Sequence, residues 1–144
     1  MKRINSSRLA AFGKDFLRAY GASEENAEII VGHLVDNDLK GVEAQGAMRL
    51  FEYANFMISG KVDGKAVPVI TVRAPGAFMV DGNGGFGIVA MQKATDRMID
   101  SLKEYPMSVA AVSSVGHTGR LGAFAEALAA HRCFGSVYGG GGHK

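Results

Sequence analysis

The chain has 144 residues, of which 47% are hydrophobic and 21% charged, so the sequence predicts one packed domain and excludes global disorder. Its formal net charge of +2 predicts no nucleic-acid partner and no binding to an anionic membrane surface. The single cysteine, Cys133, excludes an internal disulfide framework and a cysteine-rich zinc site.

The first 60 residues have the pattern of three helices joined by short links. Apolar residues recur at helical spacing over residues 9–20, and Ser6 or Ser7 is the expected N-cap. A second helix is predicted from an N-cap at Ser23 to Gly41, and a third over residues 47–59.

The pattern after Gly60 alternates between short β-branched runs and longer amphipathic runs, which is typical of an α/β fold. The last predicted strand leads into glycines, with no element to cover a sheet face. The expected elements are strands at 69–72 and 78–80, a glycine-rich bend at 81–87, a helix to about 104, a strand at 107–112, a loop at 113–122, a helix from about 121 to 128 and a strand at 135–138.

The sequence therefore predicts a helical N-terminal unit over residues 1–60, followed over 61–144 by the first part of an α/β domain whose sheet is incomplete. No apolar run approaches the roughly 18 residues of a membrane span, and the N-terminus lacks the apolar stretch of a signal peptide. We expect a cytoplasmic protein with no membrane partner.

Gly82, Gly84 and Gly87 match the pattern G-x-G-x-x-G between a predicted strand and a predicted helix. Asp100 and Glu104 lie roughly where an acid that binds ribose is found in dinucleotide-binding folds. Against this, the carboxylate of Asp81 would repel a pyrophosphate at the first glycine. A plain strand–turn–helix corner is the alternative.

The segment around His117 follows a predicted buried strand and precedes a helix, where α/β sheets place their ligands. A neutral imidazole near a helix N-terminus can transfer protons at neutral pH, and Arg120 with the free N–H groups of the helix favours an anion. The alternative is a polar loop whose histidine hydrogen-bonds the backbone.

Arg49 and Tyr53 are four residues apart and share a helix face that Gln45 precedes. Such an arginine can clamp a substrate carboxylate, although a surface arginine beside a core aromatic is the competing interpretation. The other histidines show no spacing typical of metal ligands, so no metal is predicted.

Several motifs keep their order along the chain: residues 34–46 (LVDNDLKGVEAQG), Arg49-Leu50, Tyr53, Gly60-Lys61-Val62, Val80-Asp81-Gly82, Gly85-Phe86-Gly87, His117-Thr118-Gly119, Gly122 and Ala125-Glu126. Over about Leu9 to Tyr138 the chain resembles the malate/L-lactate dehydrogenase family that is distinct from the Rossmann lactate dehydrogenases. That family includes ureidoglycolate dehydrogenase, sulfolactate dehydrogenase and diketogulonate reductase.

The resemblance implies an oxidoreductase that interconverts small 2-hydroxy acids and 2-keto acids with NAD or NADP, working as a homodimer on a non-Rossmann fold. His117 matches a family histidine at the reacting carbon, and Arg49 and Tyr53 match residues of the substrate pocket. Gln45 stands where the family usually has a histidine. Gly140 and Gly141 stand where the family has a segment that contacts the cofactor.

Family chains are well over twice this length, so the sequence is expected to be a partial chain, arising from a gene fragment, a frameshift near Gly139 or a partial sequence. The rival hypothesis is a non-catalytic remnant, or a helical interaction module that pairs with a full-length partner. Cofactor binding would discriminate between the two.

Overall fold

A computed structural model describes residues 4–140, and it confirms a mixed α/β fold in which helices precede a small sheet. Two 3₁₀ turns, Glu43–Gln45 and Ala47–Arg49, lie between the second and third helices. The other elements are α1 Ser6–Ala19, α2 Glu24–Leu39, α3 Leu50–Ile58, β1 Val69–Ala74, β2 Ala77–Gly85, α4 Gly87–Ser101, β3 Val109–Val115 and α5 Gly122–Ala130.

One helix begins as the sequence predicted, and two begin differently. Ser23 caps α2 as predicted, because its hydroxyl accepts the N–H of Asn26. The cap of α1 is Asn5 rather than Ser6 or Ser7, since the Asn5 side chain accepts from two backbone N–H groups of the first turn. The third helical segment begins as a 3₁₀ turn, and only α3 continues it as α-helix.

The sheet has the strand order β1-β2-β3, with β1 antiparallel and β3 parallel to the central strand. Val80 in β2 is opposite Ile70 on one side and Val112 on the other. These side chains pack on Ala90 and Ala94 of α4, which connects β2 to β3. One face of the sheet is therefore covered by the crossover helix.

The main core joins the N-terminal helices to the start of α4. Leu17, Leu34 and Tyr53 come from the helices, and Phe86 and Ile88 come from the junction of β2 and α4. All five side chains are at most 1% exposed. The division of the chain into two domains near residue 60 stays a prediction.

The glycine-rich segment after Val80 is not the tight bend that the sequence predicted. The strand continues to Gly85 through an irregularity at Asn83 and Gly84, which have φ of 51° and 72°. A Cβ on Gly82 would lie 2.2 Å from Cγ1 of Val115, so this glycine lets the chain pass close to β3.

The strand predicted at 135–138 does not form. The side chains of Phe134 and Tyr138 are 97% and 92% exposed. Val137 is only partly buried, so little apolar burial is available to order a strand there. The prediction rested on local composition, and the tertiary structure overrides it.

Candidate active site

The segment that carries His117 lies between β3 and α5, and we call residues 116–121 the His117 loop. It packs directly against the first turn of α4. A Cβ on Gly87 would lie 2.6 Å from the carbonyl oxygen of Gly116 and 2.7 Å from Cγ2 of Thr118. The last glycine of the G-x-G-x-x-G pattern is thus needed for close packing of the His117 loop.

The imidazole of His117 is fixed through its Nδ1 atom. The hydroxyl of Tyr53 lies 2.9 Å from Nδ1, and the backbone N–H of Gly119 donates to the same atom at 3.3 Å. A backbone N–H can only donate, so Nδ1 accepts and the neutral ring carries its hydrogen on Nε2. The fold therefore selects one tautomer of His117.

Burial lowers the pKa of His117 below its ordinary value, and the positive charge of Arg49 lowers it further, while Glu52 opposes them. Burial raises the pKa of Tyr53, so this hydroxyl stays protonated at neutral pH. A neutral imidazole beside a protonated phenol is the resting state that these shifts favour.

Arg49 lies near this pair and is held on two sides. Its Nε donates to the carbonyl of Ala44 at 2.8 Å, and Nη1 contacts Glu52 at 2.5 Å. Within residues 4–140, Nη2 has no hydrogen-bond partner. Part of the guanidinium fork is therefore available for a ligand.

Gln45 precedes Arg49 and offers a second unused polar atom. Its side-chain oxygen Oε1 is buried and has no hydrogen-bond partner among the described residues. Buried polar atoms in folded proteins nearly always have a partner, which can be water or a ligand. The structure thus brings an unsatisfied acceptor into the segment next to the arginine.

Arg120 is engaged elsewhere. Its two Nη atoms bind both carboxylate oxygens of Glu126 at 2.6 and 2.9 Å, and its Nε donates to Oδ1 of Asn37 at 2.7 Å. A bidentate carboxylate pair of this kind uses the same donors that an anionic substrate would need. This geometry favours a structural role for Arg120.

A cleft of about 610 Å³ opens beside His117. Volumes of this size are typical of small-molecule sites. Gly140 lines it, whereas Gly141 lies outside the described residues. The remaining lining residues are Glu52, Phe56, Lys61, Val62, Val115, Gly116, Thr118, Gly119, Leu121 and Gly139.

Two residues near the site were not singled out from the sequence. His33 and Asn37 lie on α2, and each hydrogen-bonds Arg120 in the His117 loop. The available signal was their spacing of four residues, which places two polar side chains on the buried face of α2.

Comparison with known proteins identifies the family. A family model described as malate/L-lactate dehydrogenase matches residues 4–139. The chain belongs to this malate/L-lactate dehydrogenase family. The resemblance seen in the sequence is thereby confirmed, and the chain is a member of a family of oxidoreductases.

Relatives of this chain in the malate/L-lactate dehydrogenase family agree in sequence and in structure. It is 31% identical to malate dehydrogenase from Pyrococcus abyssi over 85% of its own length, and 31% identical to L-sulfolactate dehydrogenase from Methanocaldococcus jannaschii over 78%. Malate dehydrogenase from Entamoeba histolytica superposes with a TM-score of 0.86 at 27% identity, covering 90% of this chain and 36% of that one. The chain spans 34% and 33% of the two curated relatives, about one third of their length.

The described residues of this family member fit a dinucleotide only in part. Gly82 and Gly84 lie within β2, and the carbonyl of Gly84 accepts from the N–H of Asp63. The first turn of α4 is covered by the His117 loop, so it does not form the phosphate-binding turn that G-x-G-x-x-G describes. The cleft beside His117 has room for a nicotinamide-sized ring.

Metal-binding clusters and helices fit to cross a membrane are both absent from residues 4–140. No three His, Cys, Asp or Glu side chains are grouped there as a metal ion would require. None of the helices in that range combines the length and apolar character that a membrane crossing needs.

Proposed function

We propose that this chain forms the substrate-binding and proton-transfer part of an NAD- or NADP-dependent oxidoreductase that interconverts small 2-hydroxy acids and 2-keto acids. One observation carries the proposal: Nδ1 of His117 is held by Tyr53 and Gly119 at the wall of a cleft of about 610 Å³. The names of the relatives, which include malate and L-sulfolactate dehydrogenases, support the substrate class.

His117 carries the proton in this proposal. Reduction of a 2-keto acid adds a hydride to carbon 2 and a proton to the carbonyl oxygen, and the nicotinamide supplies the hydride when it is bound. With Nδ1 held by the protein, Nε2 is the ring atom left to face the substrate oxygen, and the imidazolium form donates its Nε2 proton there. The ring left after this step carries its hydrogen on Nδ1, and it regains the resting form, with hydrogen on Nε2, by proton exchange with solvent. General acid–base catalysis of this kind typically contributes about 10²–10⁴-fold in rate.

Tyr53 has a role that Gly119 cannot take. A hydroxyl both donates and accepts, so it can donate to Nδ1 of the resting neutral ring and accept from Nδ1–H of the charged ring and of the ring left after proton transfer. The Gly119 N–H suits only the neutral ring. Tyr53 therefore supports His117 in both protonation states, as a residue that shuttles a proton requires.

Arg49 and Gln45 bind the substrate in this proposal. The free Nη2 of Arg49 would donate to the substrate carboxylate. The same carboxylate would replace Glu52 as the partner of Nη1, so that both Nη atoms bind the substrate. Gln45 would lie beside the bound substrate, where the family usually has a histidine. Gln45 carries no titratable proton, so it cannot replace His117.

We extend the proposal to a homodimer in the cytoplasm, on the family resemblance. Phe12 and Phe51 are 55% and 66% exposed beside the partly buried Phe16, an aromatic cluster that a second subunit could cover. The non-catalytic alternative is an outcome of the test that follows.

The test uses a chain completed with the remaining two thirds of the Pyrococcus abyssi malate dehydrogenase. His117→Asn should lower kcat on a 2-keto acid by roughly 10²–10⁴-fold with little change in KM. Arg49→Lys should mostly raise KM, because lysine keeps the charge and loses the bidentate fork. His131→Asn, at the exposed end of α5, is the control. Near-normal kcat in His117→Asn would refute the assignment of His117, and a well-folded completed chain without turnover would favour the non-catalytic alternative.

A further inference from the structure

Two side chains on one face of α2 hold the His117 loop from outside the cleft. Nε2 of His33 accepts the backbone N–H of Arg120 at 3.0 Å, and Oδ1 of Asn37 accepts Nε of Arg120 at 2.7 Å. Neither side chain lines the cleft beside His117. Their contacts are with the segment that supplies Gly119 to the imidazole.

Asn37 also connects two parts of the site. Its Nδ2 donates to the backbone carbonyl of Gln45 at 2.8 Å, so one amide group spans the Gln45 turn and the His117 loop. Asn37 is fully buried. A buried amide that has both of its ends satisfied fixes the relative position of the groups it joins.

His33 remains an acceptor throughout the neutral range. Burial, together with the charge of Arg120, lowers its pKa to about 4, so the ring stays uncharged and Nε2 keeps its lone pair at pH 7. The ring stacks on Phe124 with centroids 5.6 Å apart. A Cβ on Gly119 would lie 2.4 Å from Nε2, which shows how closely the loop is packed against this histidine.

We propose that His33 and Asn37 are positioning residues, which fix the backbone at 119–120 so that the Gly119 N–H reaches Nδ1 of His117. The inference rests on the proposed role of His117, but it concerns the state of the imidazole and not turnover. Without either anchor, the loop relaxes and the Gly119 contact weakens.

The expected consequence has a definite sign. The Gly119 N–H bonds only the neutral ring, so its loss favours the imidazolium and raises the pKa of His117. The groups that otherwise act on the ring are left in place by changes on α2. They are Arg49, in the 3₁₀ turn before α3, and Glu52 and Tyr53 of α3, while His33 is itself one of the residues to be changed.

The experiment is ¹⁵N and ¹H NMR of the histidine imidazoles in the 144-residue chain, with His117→Asn used to assign the His117 signals. Asn37→Ala should raise the pKa of His117 by about half a unit or more, and should reduce the fraction of the tautomer with hydrogen on Nε2. Asn26→Ala is the matched control. Asn26 is a buried asparagine on the same helix, and its side chain makes two hydrogen bonds, to Gly64 and Ala66, away from the loop.

A second pair of variants decides the question if Asn37→Ala does not fold. His33→Gln keeps an acceptor at a similar reach and should leave His117 close to its original pKa, whereas His33→Leu removes the acceptor and should raise it. If the pKa of His117 in Asn37→Ala and in His33→Leu is the same as its pKa in Asn26→Ala, the inference is overturned. Because no substrate is involved, this result is distinguishable from failure of the proposed function.

Discussion

Replacing Tyr53 by phenylalanine tests the arrangement around His117 with the loss of one oxygen atom. Tyr53 is fully buried, and its ring packs against Phe86 and Phe56 at centroid distances of 5.2 and 6.2 Å. Phenylalanine preserves those contacts. The variant therefore removes the hydroxyl that lies 2.9 Å from Nδ1 of His117 and leaves the packing intact.

The magnitude follows from the single hydrogen bond. An intramolecular hydrogen bond contributes a net value of about 1 kcal/mol, so the free energy of unfolding should fall by about that amount. If the whole of it favoured the neutral ring, the pKa of His117 would rise by about 0.7 unit. Because the hydroxyl can also accept from the charged ring, we expect a rise of about half a unit.

Two measurements check this prediction. Urea unfolding gives the change in stability, and titration of the imidazole signals between pH 4.5 and 8.5 gives the pKa of His117. Tyr105→Phe is the control, because Tyr105 lies in a separate groove beside Met107. A pKa that stays unchanged or falls in Tyr53→Phe, with stability equal to that of the control, would refute the reasoning.

Three further predictions concern cofactor, pH and packing. The 144-residue chain should bind NADH or NADPH weakly or not at all in calorimetric titration, because the G-x-G-x-x-G segment does not form a phosphate turn; micromolar affinity, which needs about 8 kcal/mol, would contradict this. His33 and His117 have folded-state pKa values below the ordinary 6.5, so the unfolded chain binds more protons and stability should fall as the pH drops from 6.5 toward 4. His33 contributes about 1 kcal/mol of that loss between pH 7 and 5, reduced for its partial exposure, and a flat profile in urea unfolding would rule this out. Gly119→Ala should destabilise the chain more than Gly84→Ala, since both have φ near +70° but only the first places Cβ against His33; equal unfolding midpoints would disprove the packing argument.

The sequence predicted the fold class because its signals are local. Apolar spacing places the helices, and Ser23 caps α2 with a side chain that needs only its own helix. Strand signals at Val69 and Val80 are equally local, and both strands form. The two strands also need a pairing partner, which the equally local strand signal at 135–138 lacks.

The glycine-rich segment is a place where the sequence left more than one interpretation open. The pattern at Gly82, Gly84 and Gly87 predicted either a phosphate turn or a plain strand–turn–helix corner, and the structure shows instead a strand that continues to Gly85. The packing of Gly82 against Val115 and of Gly87 against Gly116 decides the outcome. A glycine in the sequence can indicate that a side chain would not fit at that position. Only the tertiary structure shows which neighbouring atoms fill the space.

The candidate site also combines features that the sequence determined with features that only the tertiary structure decided. The sequence by itself determined that Arg49 and Tyr53 share a helical region and that His117 lies in a loop between a strand and a helix. The contact of Tyr53 with His117 joins residues 64 positions apart, and the anchoring of Arg120 by His33 joins residues 87 positions apart. No local periodicity encodes such distances. Packing of α2 and α3 around the start of α4 selected one tautomer of His117, and it left Arg120 bound to Glu126 instead of facing the cleft.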